Sequence, residues 1–247
     1  MSFKDHFSNH SRIYSEFRPD YPDAFIEWVC SLPEKKNLAW DCGTGSGQAA
    51  VQLKKHFNRV IATDPSEEQI KHAKQLEGIE YRVLPAEKTN LDTASVDLIC
   101  VAQALHWFDF DLFFAEARRV LKPRGILCAW SYGLLETEEP VQTIIESFYR
   151  ETVGPYWPAE RRHVDERYAT IPFPFYKIEA PYFQIERTWD MDSYLGYVST
   201  WSAVQRMRKA TGIDPLIELR NQLRPFYPGP LLIRWPIFAL TGRAGNA

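Results

Sequence analysis

The chain alternates short apolar runs with segments whose apolar residues recur at helical spacing. A first helix is predicted over residues 22–32. Buried strands are predicted by apolar runs at 38–41, 59–64, 79–84, 96–102 and 125–130. Helical spacing between these runs predicts helices over 48–56, from 65 onward and over 112–121. Because strands and helices alternate in this way, we predict a doubly wound, mostly parallel α/β sheet.

The pattern changes after residue 131. Residues 132–180 are rich in aromatic residues and proline, and their periodicity is weak. The segments predicted beyond them are a strand over 182–189, helices over 192–211 and 215–223, and a last strand over 231–241. We expect residues 132–230 to build a helical cap over the ligand edge of the sheet. The predicted organisation is a core with an N-terminal lid (1–131) and a cap with the last strands (132–247), within one structural domain.

Composition and charge exclude several classes of protein. Of 247 residues, 45% are apolar and 25% are charged, which is ordinary for a globular domain and excludes disordered and coiled-coil chains. The chain has 29 basic and 32 acidic residues, and the basic residues form no long cluster. No nucleic-acid partner is therefore expected. The short group Arg161-Arg162-His163 is predicted to be solvated surface. No run approaches the roughly 18–20 apolar residues of a membrane span.

The four cysteines favour a reducing compartment. They are Cys30, Cys42, Cys100 and Cys128. None belongs to a CxxC pair, so no metal site is expected, and three lie in strand-like runs that predict buried free thiols. The N-terminus also lacks the apolar core of a signal peptide, so a cytoplasmic location is expected.

Aromatic residues make up 14% of the chain, including 8 tryptophans, and this excess is expected to serve two purposes. Trp28, Trp40 and Trp130 fall in helix or strand patterns and are predicted to be core. Aromatic residues of the predicted cap are expected to line a pocket that selects the substrate; they are Trp157, Phe173, Phe175, Tyr194, Tyr197 and Trp201.

A glycine-rich turn, residues 41–47 (DCGTGSG), follows the first predicted strand. Glycines there allow a ligand to approach the backbone, and the next helix offers free N–H groups. In open α/β sheets, ligands bind at the carboxyl ends of the strands, where this turn lies. The spacing is G-x-G-x-G, whereas a dinucleotide-binding turn has G-x-G-x-x-G. A turn without a ligand is the alternative.

Acidic residues follow the second and third strands at the same edge. Asp64, at the end of the second strand, is placed to accept both ribose hydroxyls of a nucleoside. Its structural alternative is to cap the helix that opens at Pro65, and the two roles are compatible. Ala86-Glu87 provides a further polar position, with a solvated loop acid as the alternative.

Five groups of residues occur in the order and spacing typical of one enzyme family. They are 41–47 (DCGTGSG), 64–66 (DPS), 86–87 (AE), 103–108 (QALHWF) and 116–125 (EARRVLKPRG). In these motifs the chain resembles class I S-adenosylmethionine-dependent methyltransferases, the type 11 branch and its trans-aconitate methyltransferase-like group. That group typically carries the pattern found at 14–22 (YSEFRPDYP). The resemblance covers about residues 10–131 well and implies a seven-stranded Rossmann-like sheet.

The resemblance implies S-adenosylmethionine as cofactor and S-adenosylhomocysteine as product. Asp41 and the glycine turn would meet the methionine part, and Asp64 would hold the ribose. Tyr14 and Arg18 would close over the cofactor, with a surface salt bridge as the alternative for Arg18. The implied cofactor-binding residues are Tyr14, Arg18, Asp41, Gly43, Thr44, Gly45, Asp64, Pro65, Ser66, Ala86, Glu87, Gln103 and Ala104.

His106 is the candidate catalytic residue on the acceptor side, as a base near the methyl group. The alternative is a histidine that only shapes the pocket, because a carboxylate acceptor is ionised at neutral pH and needs no base. Trp107 is expected to form an aromatic wall that attracts the methylsulfonium cation. The candidate substrate-binding residues are Tyr21, Trp107, Tyr194 and Trp201.

The function expected from the resemblance is methyl transfer from S-adenosylmethionine to a small molecule, and the subgroup favours a carboxylic acid. Two alternatives stay open. One is a nicotinamide-dependent oxidoreductase, which the glycine spacing and the lack of a Tyr-x-x-x-Lys pair disfavour. The other is a protein that binds a nucleoside without catalysis, because cofactor motifs say nothing about the acceptor side.

Overall fold

The structure is a computed structural model that describes residues 19–245. Its strands are β1 (Leu38–Cys42), β2 (Arg59–Asp64), β3 (Ile79–Val83), β4 (Val96–Ala102), β5 (Leu121–Tyr132), β6 (Tyr176–Lys177), β7 (Phe183–Trp189) and β8 (Leu231–Arg243). Its α-helices are α1 (Asp23–Ser31), α2 (Gln48–Leu53), α3 (Glu67–Lys71), α4 (Phe110–Val120), α5 (Val141–Ser147), α6 (Arg161–Asp165), α7 (Met191–Ser199), α8 (Ser202–Thr211) and α9 (Pro215–Leu223).

The strands form a single mixed sheet in the order β3-β2-β1-β4-β5-β8. Strands β1 to β5 pair in parallel, and β8 runs antiparallel to β5. The far edge of β8 pairs with β6 near its carboxyl end and with β7 near its amino end, so these two strands share one position. The sheet therefore has seven positions, and the predicted mostly parallel, doubly wound fold is confirmed.

A buried carboxylate fixes the amino ends of three neighbouring strands. Asp97, in β4, accepts hydrogen bonds from the backbone N–H groups of Asn37 (3.0 Å) and Leu38 (2.9 Å) where β1 begins. Its other oxygen accepts from Lys122 Nζ at 2.7 Å, at the start of β5. Because both oxygens have partners, the buried charge is compensated. The cluster holds the strand ends opposite the ligand edge in register.

The strand β5 begins earlier than predicted. Helix α4 ends at Val120 and β5 starts at Leu121, whereas the sequence predicts a strand from Gly125. The pairing with β4 shifts between Val96 and Leu98, so the residues after Leu121 bulge before Ile126 resumes the ladder. The bulge accommodates Pro123, which has no N–H to donate to the ladder, and periodicity does not predict such an extension of the strand.

The single helix predicted over 192–211 is wrong, because the chain forms α7 and α8 with a break between them. The hydroxyls of Ser199 and Thr200 donate to the carbonyls of Gly196 (2.6 Å) and Tyr197 (2.7 Å). Such bonds compete with the helical ladder at its end. Trp201 then takes an extended conformation (φ −68°, ψ 132°) and starts α8. The break turns the second helix and places Trp201 against the pocket described below.

Hydrophobic residues fill both faces of the sheet. One cluster packs α1, α2 and the cap helices around Trp130 and Trp235. The other packs α4 and the segment around Tyr168 against Trp40. All four cysteines are buried and free, as predicted. Within residues 19–245, no helix is both long enough and apolar enough to span a bilayer.

Candidate active site

The strand order reverses between β1 and β4, and the turns that follow these two strands meet there. Gly43, after β1, has φ +71°, and a Cβ at this position would lie 2.6 Å from the Cβ of Ala104, after β4. Only glycine allows the two turns to approach so closely. This is the crevice where open α/β sheets bind ligands.

Asp64, at the end of β2, holds the glycine turn in place. Its Oδ2 accepts a hydrogen bond from the backbone N–H of Gly45 at 2.9 Å. Its Oδ1 accepts from the backbone N–H of Ser66 at 2.8 Å. A Cβ on Gly45 would meet only the Gln69 side chain, at 3.9 Å, so the space above the turn is open. The turn is thus fixed from below and accessible to a ligand from above.

Asp41, in β1, is fully buried under the same turn. Its Oδ2 accepts from the Thr44 hydroxyl at 2.5 Å, whereas its Oδ1 has no hydrogen-bond partner. Burial is the main cause that raises the pKa of Asp41 to about 7; the Thr44 hydroxyl and the nearby backbone N–H of Ala50 oppose the rise, and the charge of Asp64 adds to it. A buried carboxylate oxygen without a partner is costly, so this atom is a place where a donor or cation would bind favourably.

Gln103 combines backbone strain with an unpartnered amide. It lies directly after β4 with φ +58°, a conformation that costs free energy for a residue other than glycine. Its backbone N–H donates to Trp130 (2.9 Å) and its Oε1 accepts from Ser131 (2.6 Å). Its Nε2 is buried without a partner. These bonds fix the side chain and leave one donor for a ligand.

The residues expected at the adenine end lie after β2 and β3. Pro65 is partly buried, and Ser66 caps α3 by accepting from the backbone N–H of Gln69 at 3.3 Å. Ala86 is buried, and Glu87 accepts from the backbone N–H of Asp109 at 3.1 Å. All four lie at or near the ligand edge, and their contacts to a cofactor stay predictions. Tyr14 and Arg18 lie outside the described residues.

A pocket opens between the end of β4 and the cap. Gln103, His106 and Trp107 form its sheet side, and aromatic residues of the cap form the opposite side. Its lining residues are Gln103, His106, Trp107, Tyr132, Gly133, Leu134, Tyr149, Trp157, Pro158, Arg161, Tyr197, Trp201 and Ser202. Two of the four predicted substrate-binding residues, Trp107 and Trp201, are among them.

The other two predicted substrate-binding residues lie away from this lining. Tyr21 packs edge-on against Trp130, with ring centroids 5.3 Å apart. Tyr194 is fully buried, and its ring stacks near Tyr227 with centroids 6.4 Å apart. Their part in acceptor binding stays a prediction that the pocket geometry does not support.

His106 is a neutral imidazole in this site. Burial, with smaller contributions from the nearby Arg161 and His163, lowers its pKa to about 3. Its Nδ1 lies 3.3 Å from the hydroxyl of Tyr168, which fixes the ring. A group whose conjugate acid is this strong is a weak base near neutral pH. Burial and the lowered pKa favour the alternative stated above, a histidine that shapes the pocket.

The interpretation of Arg161 as solvated surface is wrong. Its side chain is only 19% exposed and it lines the pocket, whereas its neighbour Arg162 is exposed. Charge spacing alone does not distinguish the two. The available signal was Trp157, four residues earlier, since arginine often stacks on tryptophan. Sequence reasoning also did not single out Tyr132, Tyr149 and Ser202.

Comparison with known proteins agrees with this geometry. A family model described as "Methyltransferase domain" matches residues 40–129. A Dictyostelium discoideum protein named as a "putative methyltransferase" is 39% identical over 229 residues, covering 91% of this chain and 87% of that protein. The chain belongs to the S-adenosylmethionine-dependent methyltransferases.

A solved structure supports the same family for the whole methyltransferase chain. It is described as a "putative type II methyltransferase" from Anaeromyxobacter dehalogenans. It is 44% identical, has a TM-score of 0.87, and the match covers 94% of this chain and 100% of that one. A Mycobacterium tuberculosis protein named as an "uncharacterized methyltransferase" is 36% identical over 115 residues, 46% of each chain. None of these names refers to trans-aconitate, so the subgroup stays a prediction.

Replacing Asp41 by asparagine should stabilise the cofactor-free methyltransferase at about pH 8 and have little effect near pH 4. The folded-state pKa of Asp41, about 7, is above its ordinary 3.8, so the folded protein holds this proton more tightly than the unfolded chain. Stability is therefore lost as pH rises between these values, by up to ~1.4 kcal/mol per pKa unit. Urea unfolding at both pH values measures the difference.

Asp97→Asn is the matched control for that measurement. Both oxygens of Asp97 already accept hydrogen bonds, so this variant should lose stability at both pH values. If Asp41→Asn were no more stable than the unmodified protein at pH 8, the uncompensated burial of Asp41 would be contradicted.

Proposed function

We propose that this methyltransferase transfers the methyl group of S-adenosylmethionine to a small molecule, and that the acceptor is a carboxylic acid. The unpartnered Oδ1 of Asp41, beneath an open glycine turn, is the observation that carries the cofactor half of the proposal, and the carboxylic acid follows from the family resemblance and the weakly basic His106. The ammonium group of a methionine moiety would supply the missing partner. The pKa of Asp41 is about 7 in the absence of a ligand, and a nearby ammonium group would lower it and favour the charged carboxylate.

The remaining residues of the ligand edge would hold the cofactor along the crevice. The Thr44–Asp41 hydrogen bond orients the carboxylate, and the backbone of Gly45 allows close approach. Asp64 would bind the ribose, and its two oxygens already accept backbone hydrogen bonds. Each carboxylate oxygen has a second lone pair, so holding the turn and binding a ribose hydroxyl are compatible.

When bound, the cofactor supplies an electrophilic methyl group on a positively charged sulfur. The chain must then orient the acceptor and exclude water from the reacting atoms. Gln103 offers its Nε2 at the boundary between the crevice and the pocket, and Trp107 and Trp201 close the pocket with aromatic surface. A carboxylate acceptor is ionised at neutral pH, so no proton has to be removed. This agrees with a neutral, weakly basic His106.

The four buried thiols support a reducing compartment as the place of action, and we propose the cytoplasm.

Cofactor binding tests the proposal against a nicotinamide enzyme. S-adenosylhomocysteine should bind with a dissociation constant well below that of NADH in isothermal titration calorimetry. Asp64→Asn should weaken the binding by about 10- to 100-fold, the range for loss of charged hydrogen bonds. Asp92→Asn, an exposed carboxylate outside the site, is the control and should bind as the unmodified protein does. Tighter binding of NADH would overturn the proposal.

Turnover separates an enzyme from a nucleoside-binding protein. The unmodified protein should form S-adenosylhomocysteine from S-adenosylmethionine with at least one member of a panel of carboxylic acids. Phenols and amines serve as the comparison panel. Tight cofactor binding without turnover of any acceptor would favour the non-catalytic alternative.

His106→Asn should lower kcat less than tenfold and leave the shape of the pH–rate profile unchanged, because a group with a pKa of about 3 contributes little as a base. Loss of a general base would lower kcat by about 100- to 10,000-fold. Tyr168→Phe, which removes the partner of the ring, should have a similarly small effect. A loss above 100-fold in the His106→Asn variant, with Tyr168→Phe still active, would restore His106 as the base.

A further inference from the structure

Arg161 is held rigidly at the cap side of the pocket. Its guanidinium carbon lies 4.8 Å from the ring centroid of Trp157 and 5.6 Å from that of Tyr149. Its Nε donates to the Tyr149 hydroxyl (2.9 Å) and, at 3.3 Å, to Asp165 Oδ1. The Tyr149 hydroxyl in turn donates to the same Asp165 oxygen at 2.7 Å. These contacts fix the plane of the guanidinium before any ligand arrives.

The two outer nitrogens, Nη1 and Nη2, carry the remaining hydrogen-bond donors of this guanidinium. Among residues 19–245, no group accepts a hydrogen bond from Nη1 or Nη2 of Arg161, since only Nε is used. An arginine stays charged at every physiological pH, and its Nη groups form a fork that matches two oxygens of an anion. Because Arg161 lines the pocket, this fork is available to a ligand there.

Among the described residues, the pocket lining holds no second charged side chain. Of its described lining residues, Arg161 is the one that carries a charge, because His106 is neutral. Asp165 compensates the charge of Arg161 only in part, since its side chain is 46% exposed and binds Arg161 Nε and the Tyr149 hydroxyl. Gln103 adds a second unsatisfied donor to the lining. The cavity volume is about 50 Å³, which suits a small group of atoms.

We propose that Arg161 binds a negatively charged group of the acceptor, a carboxylate or a phosphate, and thereby restricts the methyltransferase to acidic acceptors. This inference rests on the proposed function, because it assigns the pocket to the acceptor. Arg161 is then a specificity-determining residue contributed by the cap. A neutral molecule of the same shape would leave a partly desolvated guanidinium without an acceptor, which is unfavourable.

Tryptophan fluorescence provides a test that needs no knowledge of the natural acceptor. Trp157 and Trp201 line the pocket, and Trp157 lies directly under Arg161. The protein is saturated with S-adenosylhomocysteine and titrated at constant ionic strength with sodium succinate, with inorganic phosphate, and with neutral succinamide. Saturable binding is expected with at least one anion and not with succinamide. Comparison of succinate with phosphate identifies the preferred kind of anion.

Arg161→Gln should weaken the anion binding by about 10- to 100-fold. Arg162→Gln, on the same helix and exposed, is the matched control and should bind anions as the unmodified protein does. Arg161→Lys keeps the charge without the fork and should be intermediate. Unchanged anion binding by Arg161→Gln, or equal binding of succinamide, would overturn the inference.

One further measurement and one further comparison distinguish loss of anion binding from loss of folding. The affinity of each variant for S-adenosylhomocysteine shows that the cofactor half of the site is folded. If Arg161→Gln does not fold, the unmodified protein and Arg161→Lys decide, since a merely structural arginine would give no saturable preference for an anion over succinamide. Failure of the unmodified protein to bind S-adenosylhomocysteine would overturn the proposed function. Cofactor binding without anion binding would overturn only the role of Arg161.

Discussion

The hydrogen bond from the Gly45 backbone to Asp64 is the contact on which the ligand edge depends. It ties the turn after β1 to the end of β2 at 2.9 Å. The close approach of Gly43 to Ala104 ties the same turn to the end of β4. One short segment is therefore held from both neighbouring strands. Together the two contacts position the turn at the crevice between β1 and β4.

This arrangement leaves buried polar atoms without partners where a ligand would meet them. The Oδ1 of Asp41 lies beneath the turn, and the Nε2 of Gln103 lies at its far side. Structural sites rarely keep buried polar atoms in this state, because each unmade hydrogen bond costs about 1–3 kcal/mol. A ligand that supplies the missing partners would offset this cost. Gln103 also carries the backbone strain that often accompanies such sites.

The core of the fold could be predicted because its signals are local. Strand β4 is apolar on both faces, as a central parallel strand must be, and the turn after β1 has a short glycine pattern. The cap could not be predicted to the same degree. The break before Trp201 depends on hydroxyl bonds to Gly196 and Tyr197, which hydrophobic spacing does not reveal.

The acceptor side of the site was predicted only in part, for a related reason. Trp107 could be proposed from its place in the 103–108 motif, and Trp201 as one of the aromatic residues of the predicted cap. Arg161 could not be proposed from the spacing of charges alone, because its burial depends on Trp157 and Tyr149 enclosing it after the cap has folded. A pair of adjacent arginines looks alike in sequence, and tertiary packing alone makes one a pocket residue and the other a surface residue.

A crystal structure of the protein with S-adenosylhomocysteine tests the central claim most directly. We expect the amino group of the homocysteine moiety to lie within hydrogen-bond distance of Asp41 Oδ1. We also expect the sulfur to face the pocket lined by Gln103 and Arg161. A ligand bound away from the glycine turn, or a sulfur turned away from that pocket, would contradict the assignment of this crevice to the cofactor.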